Sequence, residues 1–152
     1  MAASDRITAL VDEVIDLFNR RSEDIPDGLF SRQTQFVLNG VPFEQRLGRP
    51  ANDPLVLMLA RGAAGYRFTV KALQHAIPDA RLQRGVLAEQ HAATDQIVTG
   101  QCWLSGHLRG DGQPAEIVAD MALRFHGTTA LSVAVVVDEA VLSRLQHARR
   151  ER

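Results

Sequence analysis

The chain has 152 residues, 45% of them hydrophobic and 23% charged, with 17 basic against 18 acidic side chains and a formal net charge of −1. That length is one domain with enough apolar material for a real core, and the balanced charge excludes the basic footprint of a nucleic-acid binder. A single cysteine, Cys102, cannot form an internal disulfide, and the start of the chain shows no basic stretch followed by an apolar signal core, which together predict a cytoplasmic protein. The longest apolar run, Ala130 to Val137, is interrupted by Ser132 and is far short of the ~20 residues of a membrane span.

In chain order, Ser4 is a plausible N-cap, and Ile7, Leu10, Val11, Val14, Ile15 and Phe18 then recur at the spacing of one helical face, predicting a helix from Asp5 to Arg20. Residues Ser22 to Asp27, with Pro26 and the following Gly28, read as a loop, with room for one short turn through Leu29 and Phe30. Thr34 to Leu38 and Val41 to Leu47 flank Asn39-Gly40, the dipeptide best suited to the positive φ angles of a type I′ turn, so a hairpin is expected. Pro42 lacks an N–H and places its strand at a sheet edge. Asn52 or Asp53 before Pro54 starts a long second helix, with Val56, Leu59, Ala60, Ala63, Tyr66, Val70, Leu73 and Ile77 on its core face, ending before Pro78. Gly62 and Gly65, with Met58 and Thr69, make a second, small-residue face; either another backbone packs closely there or the helix kinks near Gly62.

From Ala80 the residues alternate as strands: Ala80 to Glu89, Gln96 to Leu108, Ala115 to His126 and Leu131 to Val137. Asp138 then caps a short last helix through Val141, Leu142 and Leu145. Helices segregated from a meander predict an α+β fold rather than a parallel α/β sheet. Arg109-Gly110-Asp111 reads as part of a hairpin turn. With Asp111-Gly112 as a two-residue turn, Trp103 lies opposite Asp120. One face then carries Val98, Cys102, Leu104, Leu108, Ile117, Ala119, Met121, Leu123 and Phe125. The other carries Thr99, Gln101, Trp103, Ser105, His107, Glu116, Asp120, Arg124 and His126.

The element order resembles the nuclear-transport-factor-2-like superfamily, which includes ketosteroid isomerases, limonene epoxide hydrolases and SnoaL-like polyketide cyclases. Gly112-Gln113-Pro114 at the turn and Arg124-Phe125 at the end of the next strand are similar to the ketosteroid isomerase hairpin. The resemblance implies helices on a strongly curved, cone-like, mostly antiparallel sheet around a cavity. It places the acid of that family's oxyanion hole at Met121, its first-helix tyrosine near Val14 or Ile15, and its general-base aspartate among Phe36, Val37, Leu38 and Asn39. The Arg-x-Asp pair of the epoxide hydrolases falls around Gln101 to Trp103, and their second aspartate near Val135 or Val136. None of these positions holds the family's catalytic group. The resemblance also turns Met121 toward the cavity and Trp103 and Asp120 away, onto a face that in this superfamily often pairs two subunits.

The expectation is therefore a domain for a small apolar molecule of polyketide or terpenoid kind, lined by Tyr66, Cys102, Leu104, Met121 and Phe125, with an isomerase, dehydratase or cyclase activity in view. A homodimer interface is expected at Trp103, Asp120 and Arg124. The alternative is a non-catalytic homodimeric module whose cavity is filled by Tyr66, Met121 and Phe125 themselves. Asp120 and Arg124 with Trp103 and His107 form a conceivable acid-base group on the polar face, and Cys102 a conceivable nucleophile; an interfacial cluster and a buried thiol are the plainer readings. His75, His91, His107, His126 and His147 show no metal-site spacing, so neither metal nor other cofactor is expected, nor are nucleic acid or membrane partners.

Overall fold

The computed structural model describes residues 2–46 and 60–150. Helix α1 spans Asp5–Asn19, and the Ser4 side chain accepts the Ile7 N–H at 3.3 Å, the cap expected at its start. Strand β1 (Phe30–Leu38) turns through Asn39 (φ 51°) and Gly40 (φ 78°) into β2, with Leu38 opposite Val41, as a two-residue primed turn requires. β2 is only Val41–Pro42 and lies at the sheet edge. The expected continuation of this strand does not form. Without an N–H, Pro42 cannot carry the ladder on, and Phe43–Arg46 wind instead into the short helix α2, with the Phe43 ring 5.9 Å from that of Phe36.

Helix α3 is Gly62–Ala76. The expected single helix from Pro54 is broken at Arg61, which is extended, and at Gly62, whose φ of 63° is left-handed. The two readings of the glycines both hold. A Cβ on Gly62 would come within 2.7 Å of the Ser31 carbonyl oxygen, and one on Gly65 would collide with the Ala60 carbonyl. The helix breaks where backbones approach too closely for any side chain. Asn52, Asp53, Pro54, Val56, Met58 and Leu59, named for the first part of that helix, and Leu47, lie outside the described residues.

The remaining strands are β3 (Arg81–Arg84), β4 (Ala88–Ala92), β5 (Asp95–His107), β6 (Pro114–His126) and β7 (Thr129–Val136), followed by helix α4 (Glu139–Arg150). Asp138 caps α4 by accepting the Ala140 N–H at 2.8 Å. The seven strands form one open sheet in the order β2-β1-β7-β6-β5-β3, with β4 also on β5. All pairs are antiparallel except β1 with β7. The fold is α+β.

Two details differ from the sequence reading. First, the β5–β6 loop is four residues, Arg109 to Gly112: the Leu108 N–H donates to the Gln113 carbonyl at 2.9 Å, and Asp111 Oδ1 accepts the Gln113 N–H. Gly110 (φ 96°) and Gly112 (φ 67°) supply the positive angles. Trp103 therefore lies opposite Val118, and Asp120 opposite Gln101, a shift of two residues from the expected pairing. Second, the stretch from Ala80 to Glu89 is not one strand. Arg84 pairs with Cys102 but Ala88 with Thr99, so three residues of one strand span what two span on β5. This bulge reverses which side chains point inward.

Candidate functional site

Antiparallel partners share a face, so a two-residue shift leaves every side chain on its expected side. Val98, Leu104, Leu108, Ile117, Ala119 and Phe125 are buried on the inward face of β5–β6, while Thr99, Gln101, Ser105, Glu116, Asp120 and Arg124 are exposed on the other. Between the inward face and helices α1 and α3 lies a cavity of about 240 Å³. α1 contributes Leu10, Val11, Val14, Ile15 and Phe18 to it, the face that the helical spacing defines. β1 and α2 add Phe30, Phe36, Val37 and Phe43; α3 adds Tyr66, Thr69, Val70 and Leu73. The sheet supplies Leu82, Cys102, Leu104, Met121, Leu123, Phe125, Ala130, Val133 and Val135.

All five side chains named from sequence, Tyr66, Cys102, Leu104, Met121 and Phe125, line this cavity. So do Val14, Ile15, Phe36, Val37, Met121 and Val135, positions at which the superfamily resemblance places catalytic acids or a tyrosine. Asn39 does not. It sits in the β1–β2 turn, where its amide donates to Glu139 Oε1 at 2.9 Å and its oxygen accepts the Val137 N–H at 2.8 Å. Among the described residues no aspartate, glutamate, histidine, lysine or arginine lines the cavity.

The cavity has little polar chemistry. The Thr69 hydroxyl donates to the Gly65 carbonyl at 2.9 Å, so its proton is already used. Burial, and secondarily the Asp120 carboxylate behind the sheet, push the Cys102 thiol pKa up, which opposes thiolate chemistry. Burial likewise raises the Tyr66 phenol, keeping it a neutral donor, and its hydroxyl makes no hydrogen bond to any described residue. The Tyr66 ring begins a run of aromatic contacts: Tyr66 to Phe30 at 5.2 Å, Phe30 to Phe36 at 5.6 Å, Phe36 to Phe43 at 5.9 Å. Sequence spacing placed Tyr66 on the core face. The aromatic run it joins was not legible, because Phe30 and Phe43 come from a strand start and a short helix whose boundaries spacing does not define.

The polar face does not form the acid-base group imagined for it. Asp120 accepts from Gln101 Nε2 at 3.0 Å, Arg124 pairs with Asp95 at 2.7 Å, and Trp103 Nε1 donates to Gln83 Oε1 at 3.1 Å. His107 is held by Asp79 at 2.7 Å, and that contact lowers the Asp79 pKa. Each residue has its own separate partner. Trp103 also packs over Gly85, where a Cβ would meet its ring at 3.2 Å. Val118 and Val136 stand beside Trp103 and Asp120 on this face, 52% and 53% exposed. Of the histidines named from sequence, His91 lies 3.5 Å from Glu89 and His126 3.1 Å from Asp95, and no group of three His, Cys, Asp or Glu side chains among the described residues is arranged to hold a metal. No helix among them is long and apolar enough to cross a membrane.

Sequence reasoning missed Glu89. The bulge before it turns it inward beside Val98, where it is 6% exposed, and its Oε1 has no hydrogen-bond partner. The Oε1 atom of Gln96, across the same hairpin, is also buried without a partner.

No protein-family profile matches the chain, and no curated protein matches it by sequence. Solved structures do match its shape. A SnoaL-like polyketide cyclase from Agrobacterium tumefaciens aligns over 92% of this chain and 97% of its own, with a TM-score of 0.57 and 17% identity. An NTF2-like protein of unknown function from Burkholderia pseudomallei aligns over 93% and 98%, with a TM-score of 0.60 and 14% identity. TerC, co-crystallised with polyporic acid, aligns over 93% and 98%, with a TM-score of 0.59 and 13% identity. Near-complete coverage of both chains at such low identity fixes the architecture: the chain has the nuclear-transport-factor-2-like fold.

Proposed function

We propose that this chain binds a flat, apolar small molecule of polyketide or terpenoid type in the cavity between its helices and sheet. The observation that carries this reading is the cavity itself: about 240 Å³ walled by apolar side chains. An apolar cavity of about 150 Å³ already takes up benzene and stays free of water. This one has room for a molecule of about two rings. Side chains that fill their own pocket leave no such space, so the alternative of a self-filled module is less well supported. The co-crystallisation of TerC with polyporic acid is consistent with small-molecule binding on this fold. Shared architecture alone would not assign a ligand.

Among the described residues, no carboxylate or imidazole lines the cavity. Isomerisation, dehydration or cyclisation of a reactive intermediate is the class that fits, because orientation and exclusion of water contribute there without a strong acid or base. Calorimetric titration with naphthalene tests the reading. One saturable site per chain supports it, and no saturable uptake at the solubility limit overturns it.

A homodimer through the outer sheet face is part of the same proposal. Trp103 donates to Gln83 and packs over Gly85, with half-exposed Val118 opposite it, Val136 opposite Asp120, and Arg124 farther along β6 on the same face. An aromatic anchor within a polar rim is the composition of protein interfaces. Light scattering that finds only monomer at high concentration would remove it.

A further inference from the structure

We propose that Glu89, Gln96 and His91 hold a divalent metal ion of the manganese class on the inward face of the β4–β5 hairpin. These three side chains are not among those that line the cavity, so the site stands whether or not the cavity takes a ligand.

The β4–β5 register assembles the three. His91 lies directly opposite Gln96 and Glu89 opposite Val98, so the polar side chains share one face, with Glu89 diagonal to Gln96 and two residues from His91 on its own strand. Diagonal neighbours of this kind are about 7–8 Å apart at the backbone, within reach of side chains as long as Glu and Gln. The face is otherwise apolar: Val98, and Phe125 across from Gln96, are buried. Glu89 is 6% exposed, and its Oε1 and the Oε1 of Gln96 are both buried without a hydrogen-bond partner. Both orphan atoms are acceptors, so a cation relieves the cost of burying each, while an apolar group or a further acceptor relieves neither. The other carboxylate oxygen, Oε2, lies 3.5 Å from His91 Nε2. Two donors that are each ~2.1 Å from one ion stand roughly 3 to 3.5 Å apart. The donor set chooses the ion: carboxylate and amide oxygens suit Mg²⁺, Ca²⁺ and Mn²⁺, imidazole nitrogen suits transition metals, and Mn²⁺ meets both. His91 is exposed, which leaves one side open for water to complete the coordination. Histidine spacing did not disclose the site, because one donor is an amide and the bulge at Gly85 to Leu87 is what turns Glu89 inward.

The test is a titration of the intact chain with manganese chloride, read as loss of the free-ion electron paramagnetic resonance signal and as a shift of the urea midpoint. One saturable Mn²⁺ site per chain is expected, weakened roughly tenfold or more by Glu89→Gln and several-fold by Gln96→Leu and by His91→Ala. Mn²⁺ should raise the urea midpoint of the unaltered chain and leave that of Glu89→Gln in place, so that the two forms, unequal in metal-free buffer, draw together. Ammonium chloride at matched ionic strength should produce no such shift. The absence of bound Mn²⁺ at millimolar concentration overturns the proposal, and so does equal binding by Glu89→Gln, which would mark an adventitious surface site. An equal midpoint shift with ammonium overturns it in favour of a simple hydrogen-bond donor between the two oxygens.

Discussion

Strands β6 and β4 both pair with β5, and both depart from the register that alternation suggests, with opposite consequences. The β5–β6 loop is two residues longer than a minimal turn, and an even shift returns every side chain to its own face. Met121, Leu123 and Phe125 still point into the cavity and Asp120 and Arg124 still point out. Along β3 and β4 the shift is odd. The single bulge at Gly85 to Leu87 turns Leu82 and Glu89, which simple alternation puts on opposite faces, onto the same inward face. The glycines permit it: a Cβ on Gly100 would press within 2.9 Å of Leu87 Cδ2 and the Val86 carbonyl. A slip of two preserves a site, while a slip of one places a carboxylate in the core.

The largest expected effect comes from making the β6 inner face resemble the β4 one. Met121→Asp puts a carboxylate among Cys102, Leu123 and Phe125, where no described lining residue carries a positive charge. A buried, unpaired charge of this kind costs about 3 kcal/mol or more. Urea unfolding at pH 7 should show that loss, together with loss of naphthalene uptake. At pH 4 the loss should shrink, because a protonated carboxyl is cheaper to bury than a charged one. Full stability at pH 7 would mean that Met121 does not face an apolar space.

Filling the cavity should separate binding from folding. Cys102→Phe adds a ring from the centre of β5 into the open volume, so naphthalene affinity should fall more than tenfold while the urea midpoint stays level or rises. A cavity that is a packing defect without ligand access would show the stability gain but no affinity to lose. On the opposite face, Val118→Glu sits directly across from Trp103 and is half exposed in one chain. It should leave folding unchanged and weaken a dimer at least tenfold, since a charge at the centre of a desolvated patch is repelled by its own symmetry mate. Sedimentation that finds the dimer unaffected would place the contact elsewhere.

Glu89 gives the converse of Met121→Asp. Glu89→Gln keeps the shape and removes the charge from a side chain that is 6% exposed and whose Oε1 accepts from no donor. The variant should be more stable by about 1 kcal/mol at pH 7, read as a higher urea midpoint with an unchanged slope. A clear destabilisation would show that the contact with His91 at 3.5 Å outweighs the cost of burying the carboxylate.

How much of this was legible beforehand follows from the same parity. Helix α1, its Ser4 cap, the Asn39-Gly40 turn and the two faces of β5–β6 are local or periodic features, and the sequence carries them directly. The loop length was not legible because Asp111-Gly112 makes a sound two-residue turn by itself; only the neighbouring Gly110, also left-handed, lengthens it. The bulge was hidden because Gly85 within an alternating run looks like an ordinary weak strand position. The break at Gly62 was half visible, as two glycines on one face, but the close approach of the Ser31 carbonyl to Gly62 is a tertiary fact. For the site, the resemblance and the alternation named cavity positions on both layers. The aromatic wall depends on how β1, α2 and α3 meet, which no local pattern encodes.

The smallest expected effect is the sharpest check on which face matters. Asp120 is adjacent in sequence to Met121 yet lies across the sheet from the cavity, hydrogen-bonded to Gln101 at 3.0 Å. Asp120→Asn retains a hydrogen-bond acceptor and removes the charge, so naphthalene affinity should change less than twofold. One consequence should nevertheless cross the sheet. The Asp120 carboxylate is the lesser of the two causes that raise the Cys102 pKa, burial being the greater. Removing it lowers that pKa modestly, so at pH 8 a larger fraction is thiolate and alkylation by iodoacetamide should quicken slightly. Because burial remains, the rate should still fall well below that of a free thiol. A large loss of ligand affinity in Asp120→Asn, with folding and assembly intact, would instead make the outer face the functional one and leave the apolar cavity as packing.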